Sequence, residues 1–195
     1  MHRLRHATYD DISAVLAVLN SAVAWLHQRG SDQWGGIPWH ADELLPDLHT
    51  GSLYLAETVD RIPIATMSLN DTPDEDFWTP DDDPHAALYL RHLAVDRRAA
   101  GHGIGAWMLH QATRRAADDR KNWLRLDAWK TNARLHTYYL DHGFEHVRTV
   151  DVSGRNSGAL FQRPTAVRPA VTVTPARTEA SPPLRIHGAD QRKQD

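Results

Sequence analysis

The chain has 195 residues, 41% of them hydrophobic, which is enough to bury one ordinary core and excludes wholesale disorder. A formal charge of −3 argues against a general electrostatic hold on nucleic acid, and the lack of cysteine excludes disulfides, thiolate metal sites and a cysteine nucleophile. No run of 18 apolar residues occurs and the first residues carry no apolar leader core, so a cytoplasmic protein without membrane contact is expected.

Residues 4–8 read as a short opening strand. Asp10 or Asp11 then caps a helix in which Ile12, Val15, Leu16, Val18 and Leu19 keep helical spacing, and a second helical stretch over 21–28 ends at Gly30. Residues 43–49 give a short third helix. Two β-rich runs, 53–59 and 62–69, are joined by Asp60-Arg61 as a hairpin. A strong strand covers 89–95, and 104–117 is a helix with apolar residues at 104, 107, 108 and 112 on one face. Residues 123–129 form a strand and 132–140 a helix, and 145–152 with 158–162 close as a strand pair. The alternation predicts a mixed α/β domain over 1–163. From Pro164 onward five prolines and no aromatic residue occur, so 164–195 is expected to be a disordered tail. Its basic excess of two leaves −5 on the rest of the chain, which mildly favours cationic partners.

The segment that carries chemistry is 93–105, Leu-Ala-Val-Asp-Arg-Arg-Ala-Ala-Gly-His-Gly-Ile-Gly, a strand running through alternating glycines into a helix. Glycine lets the backbone approach a ligand closely, and the helix start adds unpaired N–H donors and the positive end of its dipole. Together these form a cradle for a diphosphate. A nucleotide-triphosphate loop would need Gly-Lys-Ser/Thr, which is absent, and the dinucleotide fingerprint needs a different glycine spacing. A plain strand-to-helix turn is the remaining alternative.

The run 93–109 resembles the pyrophosphate-binding motif of the GNAT superfamily of acyl-CoA-dependent N-acyltransferases. Downstream, Leu124-Arg125-Leu126-Asp127-Ala128-Trp129, then Asn132, Tyr138-Tyr139 and Gly143-Phe144, is similar to that family's next strand, helix and Y-x-x-x-G-F signature. The resemblance implies a mixed, mostly antiparallel, twisted central sheet flanked by helices, of α/β (α+β) class, with a splayed strand pair holding the cofactor. Where the family pattern has Arg or Gln opening the glycine loop, the frame that keeps Ile104 as the first core contact of the helix puts Ala100, whereas a frame two residues earlier puts Arg98; in the preferred first frame Arg97, Arg98 or His102 is left to supply charge.

The resemblance further implies acetyl-CoA as cosubstrate and no metal. Its arm would lie along Leu93, Ala94 and Val95, with the Leu93 N–H polarising the acyl carbonyl. Ala100, Gly101, His102, Gly103, Ile104, Gly105 and Ala106 would face the diphosphate. Asn132 would bond the arm and also serve as a helix N-cap. Tyr139, four residues before Gly143, matches the family's general acid. Tyr138 reads as core, unless the helix orientation exchanges the pair. His92, on the central strand, is the candidate general base, with Glu57 as another strand candidate. His136 and His142, like His102 and His110, lack the i, i+4 spacing of a helical metal pair.

The segment 71–84 holds seven acids around Phe77-Trp78, which suggests either a solvated loop or an aromatic wall with an acidic rim that draws in an ammonium group. Trp34 and Trp78 are the expected acceptor contacts. The expected reaction is therefore acetyl transfer to a primary amine of a small cationic molecule by direct transfer in a ternary complex, in a monomer or homodimer. A protein N-terminal or lysine acetyltransferase and a non-catalytic acyl-CoA-binding module are the alternatives.

Overall fold

The computed structural model describes residues 2–166. In chain order it contains β1 (His2–His6), α1 (Ile12–Gln28), α2 (Ala41–His49), β2 (Leu53–Thr58), β3 (Pro63–Asn70), β4 (Ala87–Val95), α3 (Ile104–Asp118), β5 (Trp123–Trp129), α4 (Ala133–Asp141), β6 (Glu145–Thr149) and β7 (Ser157–Pro164). The strands form one sheet in the order β1-β2-β3-β4-β5-β7-β6, antiparallel at every junction except β4–β5. The expected mixed, mostly antiparallel sheet is thus present.

The pleat explains how the core is divided. Along β2, Leu53 and Leu55 face one side and Tyr54 and Ala56 the other, because successive side chains alternate. On the first side lie Val15, Val18 and Leu19 of α1 with Leu44 and Leu48 of α2. On the other, Met108, Leu109, Ala112 and Ala116 of α3 pack with Tyr139 of α4 against Met67, Leu88, Leu124, Leu126 and Phe161. A third, smaller cluster lies under the 71–86 segment, where Phe77 and Trp78 cover Ala87, Tyr89 and Leu160.

Three expectations need correction. α1 is one helix of 17 residues where two were expected. Nothing between Leu19 and Ser21 breaks it, since the Ser21 hydroxyl donates to the Val18 carbonyl at 2.8 Å and stays inside the helix. The first strand runs two residues earlier than expected, because His2 to His6 pair with Thr58 to Tyr54. At the other end, Pro164 still pairs with Trp123, and Thr165 donates its N–H and hydroxyl to the carbonyls of Asn122 and Lys121. The ordered domain therefore runs past 163. The rest of the expected tail, 167–195, lies outside the described residues.

One departure from sheet regularity positions everything that follows. The parallel ladder between β4 and β5 joins only Ala87 to Trp123, Leu88 to Leu124 and Tyr89 to Arg125. Past Tyr89 the two strands separate, and the C-terminal half of β4 is left with an unpaired edge facing β5.

Candidate active site

The gap between β4 and β5 is the floor of a cleft of about 1100 Å³, at the upper end of the range for small-ligand sites. Its walls come from β4 (Leu90 to Val95), β5 (Leu126 to Trp129), the glycine loop, the start of α4 and the segment between α1 and α2. His92, Leu93, Ala94, Val95, Ala100, Gly101, Gly103, Ile104, Gly105, Ala106, Asn132, Tyr139 and Trp34 all line it. His102 sits in the same loop with its ring near the Ala99 carbonyl but does not line the cleft.

The glycine loop is built to leave donors open. Gly101 and Gly103 have φ of 84° and 73°, a region that costs glycine little. Gly103 is the N-cap of α3, and Ile104, 4% exposed, is its first core contact. Gly105 has another reason to lack a side chain, because a Cβ there would stand 2.5 Å from the Tyr138 hydroxyl. The N–H groups of the six residues Gly101 to Ala106 have no hydrogen-bond acceptor among the described residues. Gly101, Gly103, Ile104, Gly105 and Ala106 line the cleft, so the open donors of the loop and of the first turn of α3 gather on one wall, the arrangement of an anion cradle.

Positive charge collects beside that cradle. Arg97 stacks on the Trp25 ring at 3.9 Å, and Arg29 covers the same ring at 4.2 Å. Arg134 enters the cleft from the start of α4. Burial, then the like charges of Arg29 and Arg134, press the Arg97 guanidinium below its ordinary pKa. Among the described residues its buried Nε has no hydrogen-bond partner. Arg98, by contrast, turns outward and is tied to Asp96 at 2.9 Å.

At the floor of the cleft the two tyrosines divide differently from expectation. Tyr139 is the deeper one, 8% exposed and packed on Phe144 and Phe161. Burial raises its pKa, with Tyr138 and Asp127 adding to the effect, so it stays protonated at neutral pH. Its hydroxyl has no hydrogen-bond partner among the described residues. Tyr138 is not simply core: its hydroxyl reaches the glycine loop at Gly105, and its ring stacks on His142 at 4.2 Å.

Asn132 caps α4 by accepting from the Leu135 N–H at 3.0 Å, as expected, while its amide donates to Gln33 at 2.6 Å. Beside it Thr131 donates to Asp32 at 2.7 Å. These bonds fasten the segment 31–36 across the mouth of the β4–β5 gap and bring Trp34 into the cleft. Trp34 meets Trp39 edge-on at 5.8 Å, and Trp39 meets His92 at 4.7 Å. His92 occupies a bulge in β4, and its Nδ1 lies 3.3 Å from Asp47.

Two expected site residues lie elsewhere. Glu57 is 3% exposed on β2 and is bound by Arg5 at 3.1 Å, away from the cleft. Trp78 is 3% exposed and does not line the cleft; its ring faces Arg125 at 4.6 Å and Arg148 at 5.7 Å. Its cation–π surface is taken by the protein's own arginines. The acids around it are likewise occupied. Asp82 binds Arg148 at 2.6 Å, and Asp74 and Asp76 bind Arg155 at 2.7 and 3.4 Å. Sequence reasoning missed Asp127, which lines the cleft without an ion pair among the described residues, and Asp47. Asp127 could have been suspected, since it is an acid inside a strand on the wall of the gap.

Residues 50–146 match the Acetyltransferase (GNAT) domain family. Over 160 residues the chain is 30% identical to the uncharacterized N-acetyltransferase YesJ of Bacillus subtilis, covering 80% of this chain and 87% of that one. Among solved structures it resembles a GNAT-family acetyltransferase from Listeria monocytogenes, with a TM-score of 0.68 and 22% identity over 84% of this chain and 94% of that one. It also resembles yncA from Salmonella typhimurium, solved with its cofactor acetyl-CoA, with a TM-score of 0.62 and 18% identity over 87% of this chain and 97% of that one.

Proposed function

The chain belongs to the GNAT superfamily and is an acyl-CoA-dependent acetyltransferase, and from that premise we propose that it acetylates a primary amine of a small cationic molecule by direct transfer within a ternary complex. The observation that carries the reading is the pairing of a splayed β4–β5 gap with six open amide donors at its end. The residues present suit the cosubstrate: a diphosphate needs donors, and a thioester arm needs an unpaired strand edge.

Acetyl-CoA supplies the thioester whose acetyl carbonyl the amine attacks. The N–H groups of Gly101 to Ala106 hold the diphosphate, and the unpaired Arg97 stands in for the arginine absent at Ala100. Leu93, Ala94 and Val95 present the β4 edge to the arm, and the Leu93 N–H polarises the acyl carbonyl. Asn132 fixes the arm from the other wall, exchanging its Gln33 contact for the ligand. His92 takes the proton from the acceptor ammonium; as the adduct collapses, Tyr139, kept protonated by burial, gives its proton to the leaving sulfur, and the second proton of the amine nitrogen restores the phenol. Trp34, with Trp39 beside it, gives the ammonium an aromatic surface, and Asp127 gives it a counter-charge. We place the enzyme in the cytoplasm; among the described residues no helix is long and apolar enough to cross a membrane.

The test is calorimetric titration with acetyl-CoA and CoA, followed on the same sample by thiol release over a panel of amines. Micromolar binding with thiol release that depends on a small cationic amine supports the reading. Binding with turnover only on peptide amines would move the acceptor to a protein. Binding without turnover on any amine would leave a binding module.

A further inference from the structure

β4 carries one residue more than β3 where His92 stands: Arg91 pairs with Ser68 and Ala94 with Thr66. The extra residue puts His92 in the left-handed region at φ 52°, where β-strand residues other than glycine are rare. A bulge bends the strand and re-aims a side chain, and here the imidazole lines the cleft beside Trp39. It arrives against a carboxylate prepared for it. Asp47 of α2 puts one oxygen 3.3 Å from Nδ1, while its other oxygen accepts from the Ser52 hydroxyl at 3.2 Å. The Ser68 hydroxyl lies 3.2 Å from the same ring nitrogen. Nε2 has no hydrogen-bond partner among the described residues.

We propose that Asp47 is a positioning residue: it holds His92 in the tautomer with the proton on Nδ1, so that Nε2 presents its lone pair to the acceptor ammonium. This rests on His92 being the general base. In a neutral imidazole one nitrogen donates and the other accepts; with the Ser68 hydroxyl donating to Asp47, both the Asp47 carboxylate and the Ser68 oxygen face Nδ1 as acceptors, which leaves the free lone pair to Nε2. When Nε2 takes the proton, the ring becomes a cation 3.3 Å from a carboxylate that stays ionised. Burial works against the Asp47 charge, but His92, Ser68 and Ser52 outweigh it and hold the carboxyl at about 2. The other charged or titratable groups sharing the cleft are Arg91 on the same strand, Asp127 of β5, Tyr138 and Tyr139 of α4, Arg134 at its start and His142 just past its end, and Arg29, Asp74, Arg97 and Arg155 from the loops. Arg91 is turned to the Thr72 carbonyl at 3.1 Å and Asp74 to Arg155 at 2.7 Å.

The test compares Asp47→Asn and His92→Gln in steady-state kinetics from pH 5 to 9, once the preferred amine is known. Asn at 47 removes the carboxylate that faces Nδ1 and puts there an amide that can also donate, so the fraction of rings with a free lone pair at Nε2 should fall. The same change should lower kcat roughly tenfold while the KM for acetyl-CoA stays at its wild-type value. Should Asp47→Asn fail to fold, nitrogen-15 NMR of the histidine rings in the wild-type protein reads the tautomer directly. A protonated Nδ1 supports the proposal, and a protonated Nε2 overturns it. If His92→Gln loses activity while Asp47→Asn keeps the wild-type kcat, Asp47 has no part in positioning. If His92→Gln itself keeps the wild-type rate, the general-base reading falls and takes this inference with it.

Discussion

The glycine loop and the acidic 71–84 segment both stand out in the sequence, and the structure treats them in opposite ways. Around the loop, donors and charge are left open: among the described residues six consecutive amides lack acceptors, and the buried Nε of Arg97 has no partner. In the acidic segment four of the seven carboxylates, Asp71, Asp74, Asp76 and Asp82, are paired with the protein's own cations. Asp82 is locked by Arg148 and capped by Thr79, Asp74 holds Arg155, and Trp78 is faced by two arginines. Polar groups that a fold leaves open at the wall of a cleft are available to a ligand, whereas those it pairs across elements hold the fold together. The composition of a segment does not distinguish the two cases.

The widest separation between the two regions should come from Tyr139→Phe. Loss of a positioned proton donor lowers kcat by about 100-fold or more, with acetyl-CoA affinity and melting temperature near wild type. Tyr138→Phe provides the contrast: its hydroxyl packs on Gly105, so the expected change is in acetyl-CoA affinity and not in kcat. An equal kcat loss in both variants would break the assignment of the acid to the deeper tyrosine.

On the structural side, Arg148→Ala strands the Asp82 carboxylate and uncovers Trp78, costing about 2 kcal/mol. Thermal unfolding should show a fall of roughly 4–8 °C with kcat/KM unchanged. The carboxylates of this framework also set an acid limit. The Arg148 hydrogen bonds hold Asp82, and the Arg5 hydrogen bonds hold Asp11, well below the usual carboxylate range, while Asp47 sits at about 2. Groups depressed in the folded state contribute stability that is complete above their unfolded pKa near 3.8 and is lost as pH falls through the folded values. The melting temperature should therefore gain nothing from these groups above pH 5 and fall steeply between pH 4 and about 2.

Arg97→Ala tests the open side more gently. One charge-assisted contact to phosphate lost should weaken acetyl-CoA binding about tenfold and leave binding of pantetheine, which has no diphosphate, unchanged. Equal loss for both ligands would show that Arg97 supports the fold of the loop instead. The smallest effect is expected for Trp78→Phe, which keeps an aromatic ring in its cluster and should leave the KM for every amine unchanged; a raised KM would return Trp78 to the acceptor site.

What could be read from the sequence follows how local each feature is. The strand 123–129 and the glycine loop depend on neighbouring residues, and both stand where the pattern put them. The mixed sheet followed from the order of elements. Trp78 was misread because its partners, Arg125 and Arg148, come from β5 and β6, far along the chain. Asp47 was invisible for the same reason: only the β4 bulge and the packing of α2 bring it to His92, 45 residues away in sequence. The order of Tyr138 and Tyr139 turned on the rotation of α4, which the Asn132 cap and the packing of Tyr139 on Phe144 and Phe161 decide.

The central claim is that the open amides of Gly101 to Ala106 receive the cosubstrate's diphosphate while the β4 edge receives its arm. Backbone amide hydrogen exchange, with and without saturating acetyl-CoA, tests it most directly. Strong new protection is expected over 101–106 and 90–95, with the acidic segment 71–84 unchanged. Binding that leaves the glycine loop exchanging as before, or that protects 71–84 in its place, would contradict it.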